Sequence, residues 1–180
     1  MRTHLASLFV SAATFGVVAN AAFAQEMEFP ARKSGQWEIQ MVNDQAGAPN
    51  MTIKACVDEA SDRQMMQAGL NMSKSMCPEQ TMAKDGDSIV IDATCNFGGM
   101  NSKSHTVMTG DFQSAYLVKT TSEASGGMAA MAGAGAPTNM TQTATWVGDA
   151  CTDGLAPGDM LMPGGMKVNV TDLMKMMGGG

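Results

Sequence analysis

Short stretches of period-two alternation constrain this chain more than any other feature. Residues 35–42, "GQWEIQMV", set Trp37, Ile39 and Met41 on one side of an extended backbone and Glu38 and Gln40 on the other. "MTIKACV" sets Met51, Ile53 and Ala55 against Thr52, Lys54 and Cys56. Such alternation marks strands with one buried face. The stretch 88–97 carries Ile89, Ile91, Ala93, Cys95 and Phe97 on one side. Residues 103–110 and 114–122 flank a turn at Asp111, and 139–147 closes the series with Met140, Ala144 and Trp146 on a common face. About seven short strands joined by tight turns favour an antiparallel meander. A sheet of that kind must be covered or curled, so the expectation is a mainly β fold, a curved sheet or partly open barrel. Only "DEASDRQMMQAGL" changes period. Asp58 is a suitable N-cap and Gly69 a suitable stop, which predicts one short helix over 58–69.

The first residues set the compartment. Arg2 precedes an apolar run from Leu5 to Val18, and Ala22-Phe23-Ala24 supplies small residues for cleavage. Residues 1–24 read as a secretory leader with a mature start at Gln25. The run is too short and too rich in Ala and Ser for a membrane span, and no later run is long enough. The mature chain, 25–151 as one domain followed by a tail over 152–180, is expected in the bacterial periplasm or secreted. Losing Arg2 leaves ten cations against seventeen acids. That balance opposes nucleic acid as a partner, which normally calls for a basic footprint.

The mature chain has only six aromatic residues: Phe29, Trp37, Phe97, Phe112, Tyr116 and Trp146. A modest core in an exported protein commonly needs covalent support. Cys56, Cys77, Cys95 and Cys151 supply it as two disulfides, for which three pairings exist. In "CPEQTMAKDGDSIVIDATC" two strands surround Asp85-Gly86-Asp87. A three-residue turn brings Cys77 opposite Cys95, which favours Cys77–Cys95 with Cys56–Cys151 over the other two pairings; a two-residue turn offsets the first pair by one and weakens the argument. No C-x-x-C is present, so the common zinc and thioredoxin-like spacings are missing.

Four features together resemble a family. They are "SGQWEIQM" behind the leader, "KACVDEA" with a cysteine leading a short helix, Cys77 and Cys95 at the hairpin ends, and "GDAC" around Cys151. Their order and spacing over 30–151 are similar to those of secreted bacterial proteins grouped as domain of unknown function 3617. The resemblance implies an envelope location and a small β-rich domain, and it implies no activity. The long Gly/Ala/Met stretch at 124–137 and the residues beyond Cys151 depart from the pattern.

Catalytic signals are sparse. His105 is the one histidine of the mature chain and falls within a strand, where a solvent-facing polar role is the ordinary one. There is no G-x-S-x-G, no H-E-x-x-H and no phosphate-cradling glycine loop. No enzymatic role and no cofactor are expected. Two binding roles are. In the first, an apolar strand face with Trp37, Ile39, Ile89, Ile91 and Trp146 takes an apolar ligand or an envelope protein. The second starts from methionine. Nineteen lie in the mature chain, and thioethers favour Cu(I). Met162, Met166, Met174, Met176 and Met177 of the tail, with Met128 and Met131 of the loop, are the candidate ligands. Against this, Met is a flexible apolar filler suited to an aromatic-poor core. A tail docked on the sheet favours filler; a loose one favours metal.

Overall fold

The structure is a computed structural model, and it describes residues 29–45, 47–97, 99–126 and 136–176. The leader with Ala24, the methionines at 128 and 131, and Met177 lie outside the described residues. The fold is mainly β. Nine antiparallel strands form one open sheet in the order β3-β4-β5-β6-β7-β1-β2-β8-β9. They are β1 (Gly35–Asn43), β2 (Met51–Val57), β3 (Glu79–Asp85), β4 (Ser88–Phe97), β5 (Met100–Gly110), β6 (Ala115–Ser125), β7 (Thr138–Gly148), β8 (Asp159–Leu161) and β9 (Lys167–Asn169). Strands β3 to β7 run as the expected meander, and β7 then pairs with β1. The sheet does not close.

Two differences from the sequence reading concern the helix and the tail. Helix α1 spans Glu59–Met76, 18 residues rather than a short piece ending at Gly69. Asp58 caps it as expected: its carboxylate accepts from the Ser61 N–H at 2.7 Å, and the Ser61 hydroxyl accepts from the Asp58 N–H at 2.9 Å. A mid-helix glycine costs about 1 kcal/mol, which the tied-down end offsets. The real stop is Cys77-Pro78, because a residue before proline disfavours the helical conformation. The segment after Cys151, expected as a peripheral tail either docked on the sheet or loose, goes further than docking and adds strands to the sheet. Its β8 pairs with β2, β9 pairs with β8, and a second helix, α2 (Val170–Met176), lies against α1. Three-residue strands carry too little periodicity to be read from sequence.

Cys77 is bonded to Cys95, and Cys56 to Cys151. The first link does not arise as a facing strand pair. Asp85 pairs with Ser88 across a two-residue turn, and Glu79 pairs with Thr94, so Cys77 and Cys95 are out of register by one. Cys77 is the C-cap of α1, not a strand residue. The disulfide therefore ties the end of the helix to β4. At the same end the Ser73 hydroxyl donates to Gln80 Oε1 at 3.1 Å. At the other end Arg32 Nε meets Asp62 Oδ1 at 2.6 Å, and the Arg32 N–H also donates to Asp62. Both side chains are nearly enclosed, 10% and 4% exposed. The helix, about 27 Å long at 1.5 Å per residue, thus lies across one face of the sheet, fastened at both ends.

That face holds the core. Trp37, Ile39, Ile53, Ala55, Val57, Phe112, Tyr116 and Ala144 form one buried cluster, against which Met65 of α1 packs. Trp37 pairs with Ala55 on one side and Trp146 on the other, and Ile39 pairs with Ala144. Tyr116 stacks on Phe112 at 4.7 Å between centroids and tilts against Trp37 at 5.6 Å. The buried Trp37 indole N–H donates to the Lys33 carbonyl at 2.8 Å. Gly35, at φ +124°, lets β1 enter this corner, since a Cβ there would run into the Gly148 carbonyl and the Trp146 ring.

Two outcomes follow for stability. Removing one partner of an enclosed ion pair strands the other, so Arg32→Ala is expected to cost about 3 kcal/mol. Arg63→Ala, which breaks an exposed i,i+4 pair with Glu59, should cost about 0.5 kcal/mol or less. Urea unfolding of the disulfide-intact variants checks this. Loop lengths rank the disulfides: the sequence separations are 95 for Cys56–Cys151 and 18 for Cys77–Cys95. Chain entropy then assigns about 4.7 and about 3.2 kcal/mol. Paired Ser substitutions of Cys56 and Cys151 should lower the unfolding midpoint more than those of Cys77 and Cys95.

Candidate functional site

Paired residues in an antiparallel ladder share a face, and alternate residues along a strand do too. The register therefore traces rows across the core face. One row reads Met41, Gln142, Val118, Met108, Ile89. The next reads Met140, Thr120, Thr106, Ile91, Met82. Trp37, Ile39, Ile89, Ile91 and Trp146 all lie on this face. They are not equivalent there. Trp37 has no exposed surface, and Ile39 and Ile89 are buried. Ile91 and Trp146 are half-buried, as are Met82, Met108, Val118 and Met140. Trp146 is engaged: its indole N–H donates to the Ser34 carbonyl at 3.0 Å, and Lys33 Nζ sits 3.3 Å from its ring centroid.

Beside the core, where β3, β4 and the β5–β6 turn meet, Pro30, Lys84, Asp87, Ile89, Gly110, Asp111 and Phe112 line a concavity of about 590 Å³. Ile89 and Phe112 are its apolar residues deepest in the fold, and Lys84 and Asp87 are exposed at its rim. The turn that builds one wall is unusual. Phe112 has φ +56°, a left-handed conformation rare for an aromatic residue. Asp111 holds it. Its Oδ1 accepts from the Gln113 N–H at 2.9 Å and the Ser114 N–H at 2.7 Å, and its Oδ2 from the Ser114 hydroxyl at 2.8 Å. Gly110, at φ +128°, has no room for a Cβ, which would press on the Ala115 carbonyl and on Tyr116. The sequence shows the turn at Asp111, but nothing in it signals that Phe112 swings back into the core.

The opposite face carries a polar row. Register puts Thr81, Asp92, His105, Thr121 and Asn139 in one row across five strands. His105 Nδ1 lies 2.7 Å from Asp92 Oδ1, Thr121 donates to Asn139 Oδ1 at 2.8 Å, and Asn139 Nδ2 donates to Asp44 Oδ2 at 2.6 Å. The Asn139 N–H and amide hold the Asp44 carboxyl below its ordinary value. A shallow depression of about 390 Å³ surrounds His105 and Asp92, with Glu79, Lys103 and Glu123 nearby. Both members of the pair are more than half exposed. Among the described residues no hydroxyl bonds the second ring nitrogen, and no cysteine is free. The histidine is thus a solvent-facing partner of a carboxylate, on the side of the sheet away from the apolar concavity.

The tail methionines separate. Met162 is half-buried and packs against the core cluster, together with Met160. Met166 is 60% exposed and Met176 is 85% exposed, while Met174 is half-buried on α2. The four candidate tail ligands among the described residues are therefore not gathered: Met162 and Met166 flank the β8–β9 turn, and Met174 and Met176 sit on the helix beyond it. Met160, not among the candidates, lies on the same face as Met162.

A family model described as "Protein of unknown function (DUF3617)" matches residues 32–151. The chain belongs to this family. No curated protein and no solved structure matches it. The matched span ends at Cys151, so the core-building strands β1 to β7 and both disulfides fall inside it, and β8, β9 and α2 outside. Two disulfides fit an oxidising, extracytoplasmic setting. Among the described residues no helix is long and apolar enough to cross a membrane.

The β5–β6 turn carries a pH signature. Hydrogen bonds from Ser114 first, then from the Gln113 and Ala115 N–H groups, hold the Asp111 carboxyl at about 2, below the ordinary 3.8. A depressed folded value means that this group's contribution is complete above 3.8 and is lost as pH falls through about 2. Asp111→Ala should lower the thermal midpoint at pH 7, and the gap from the parent should narrow between these two values. A gap that stays constant down to pH 2 would separate the turn from the carboxylate.

Proposed function

We propose that this is an extracytoplasmic, non-enzymatic binding protein whose ligand is a small apolar molecule seated in the concavity beside Ile89 and Phe112. The observation that carries the reading is the position of that concavity. It opens next to a filled core, on the face where Ile91, Met82, Met108 and Met140 remain half-buried. Its volume falls in the range of about 300–1,000 Å³ usual for small-molecule sites. A concave site of this size suits a small molecule better than a protein surface, which needs a broad complementary patch. Trp37 and Ile39 form the foundation of the site instead of its lining. The fold licenses the site but does not name the ligand.

The leader-like residues 1–24, with cleavage near Ala24, and the two disulfides support a periplasmic or secreted location in a bacterium. The non-enzymatic reading rests on the separation of His105 from the apolar concavity by the thickness of the sheet.

A fluorescent apolar probe, N-phenyl-1-naphthylamine, tests the site. The disulfide-intact protein should bind it with enhanced emission. Ile89→Ser, within the lining of the concavity, should weaken binding, and His105→Ala on the opposite face should leave it unchanged. Absence of binding by the parent protein, or loss of binding in the His105 variant alone, would refute the assignment.

A further inference from the structure

The β8–β9 hairpin brings together three thioethers that the sequence separates. Met160 pairs with Val168 and Leu161 with Lys167. The Met162 N–H donates to the Met166 carbonyl at 2.8 Å, which carries the register one pair further. Met160, Met162 and Met166 therefore share one face, the core face, since Met160 also pairs with Ala55 of β2. Directly opposed side chains have Cβ atoms about 5 Å apart. Positions i and i+2 stand about 6.6 Å apart along a strand. Methionine's three rotatable bonds let the sulfurs converge from such positions.

The hairpin is preorganised. Pro163 and Gly164, the latter at φ +84°, form its turn, closed by the Gly165 N–H donating to the Met162 carbonyl at 3.1 Å. Its base is fastened to the fold by the Gly158 N–H on the Cys56 carbonyl at 2.8 Å. Buried Asp159 accepts from the Asn169 amide at 2.7 Å and the Ala156 N–H at 2.9 Å. These two groups, with Lys167, hold its carboxyl below the ordinary value. Asp159 lies on the alternate side of β8, so the hairpin's own hard donor is turned away from the three sulfurs. Core packing accounts for Met160 and Met162. It does not account for Met166, which is 60% exposed across from Met162.

We propose that Met160, Met162 and Met166 form a thioether site for a soft monovalent cation, Cu(I) or Ag(I). Thioether sulfur is a soft donor that prefers such ions over hard divalent ones, and the excess of acidic over basic residues in the chain favours a cation. The site is independent of the apolar concavity, because the hairpin stands at the opposite edge of the sheet from β3 and β4.

Two measurements on the full, disulfide-intact protein test it. Under anaerobic conditions it should withdraw Cu(I) from a competing chelator such as bicinchoninate. The variant carrying Met160→Leu, Met162→Leu and Met166→Leu should lose that capacity while keeping its apolar volume. Met166→Leu alone, at an exposed position that does not threaten folding, should also weaken retention and leave apolar-probe binding unchanged. With methyl-labelled methionine, Ag(I) should shift the resonances of these three residues and not those of Met72 and Met176, which are exposed elsewhere. Unchanged Cu(I) retention in the Leu variants, no withdrawal by the parent protein, or shifts confined to Met72 and Met176 would overturn the proposal.

Discussion

Three packed rings, Trp37, Tyr116 and Phe112, hold one end of the sheet together, and the rest of the molecule is arranged around their scarcity. Half of the aromatic residues expected in the mature chain are spent in that one corner. Aromatic side chains carry the largest apolar area per residue, so all three are buried in that corner. Farther along the same face the rows are built mainly from Met, Val, Ile and Thr, and most of these residues stay half-buried. A sheet with a solid end and a soft, partly open remainder is the direct result. The concavity beside Ile89 and Phe112 lies where the two regimes meet.

Covalent links compensate for what the small core does not supply. Cys56–Cys151 joins the end of β2 to the segment after β7, next to Trp37 and the base of the β8–β9 hairpin. Cys77–Cys95 fastens the far end of α1. The helix would otherwise be held chiefly by its first turn, where Asp58 caps it and Asp62 meets Arg32. Beyond that turn α1 buries no residue completely. Anchoring at both ends lets a weakly packed helix cover the sheet without filling the face beneath it.

Much of this architecture is legible in the residues, and the failures have physical causes. Alternation in 35–42 and 51–57 locates β1 and β2 because each buries one face and exposes the other. Asp58 announces α1 through its cap. The end of α1 is misread because Gly69 is a local signal, whereas the helix is held through Cys77 by a distant strand. The pairing of Cys77 with Cys95 is approached through a turn whose length is off by one residue, and the bond forms because a helix terminus, not a facing strand, presents Cys77. Strands β8 and β9 escape notice because three residues carry no period, and β2, with which β8 pairs, is about a hundred positions away in sequence. The left-handed Phe112 and the gathering of Met160 with Met162 and Met166 depend on turn geometry that composition does not encode.

By itself the sequence determined the class of fold, the family, the presence of two disulfides and the face on which Trp37, Ile39, Ile89, Ile91 and Trp146 lie. These follow from local periodicity and residue chemistry, which act over a few neighbouring positions. Only the tertiary structure decided which of those side chains are consumed by the core, where the concavity opens, that His105 stands on the opposite side of the sheet, and that the residues after Cys151 complete the sheet's edge. Each of those outcomes depends on contacts between residues far apart in the chain. Burial is a property of what lies opposite, and no local pattern specifies it.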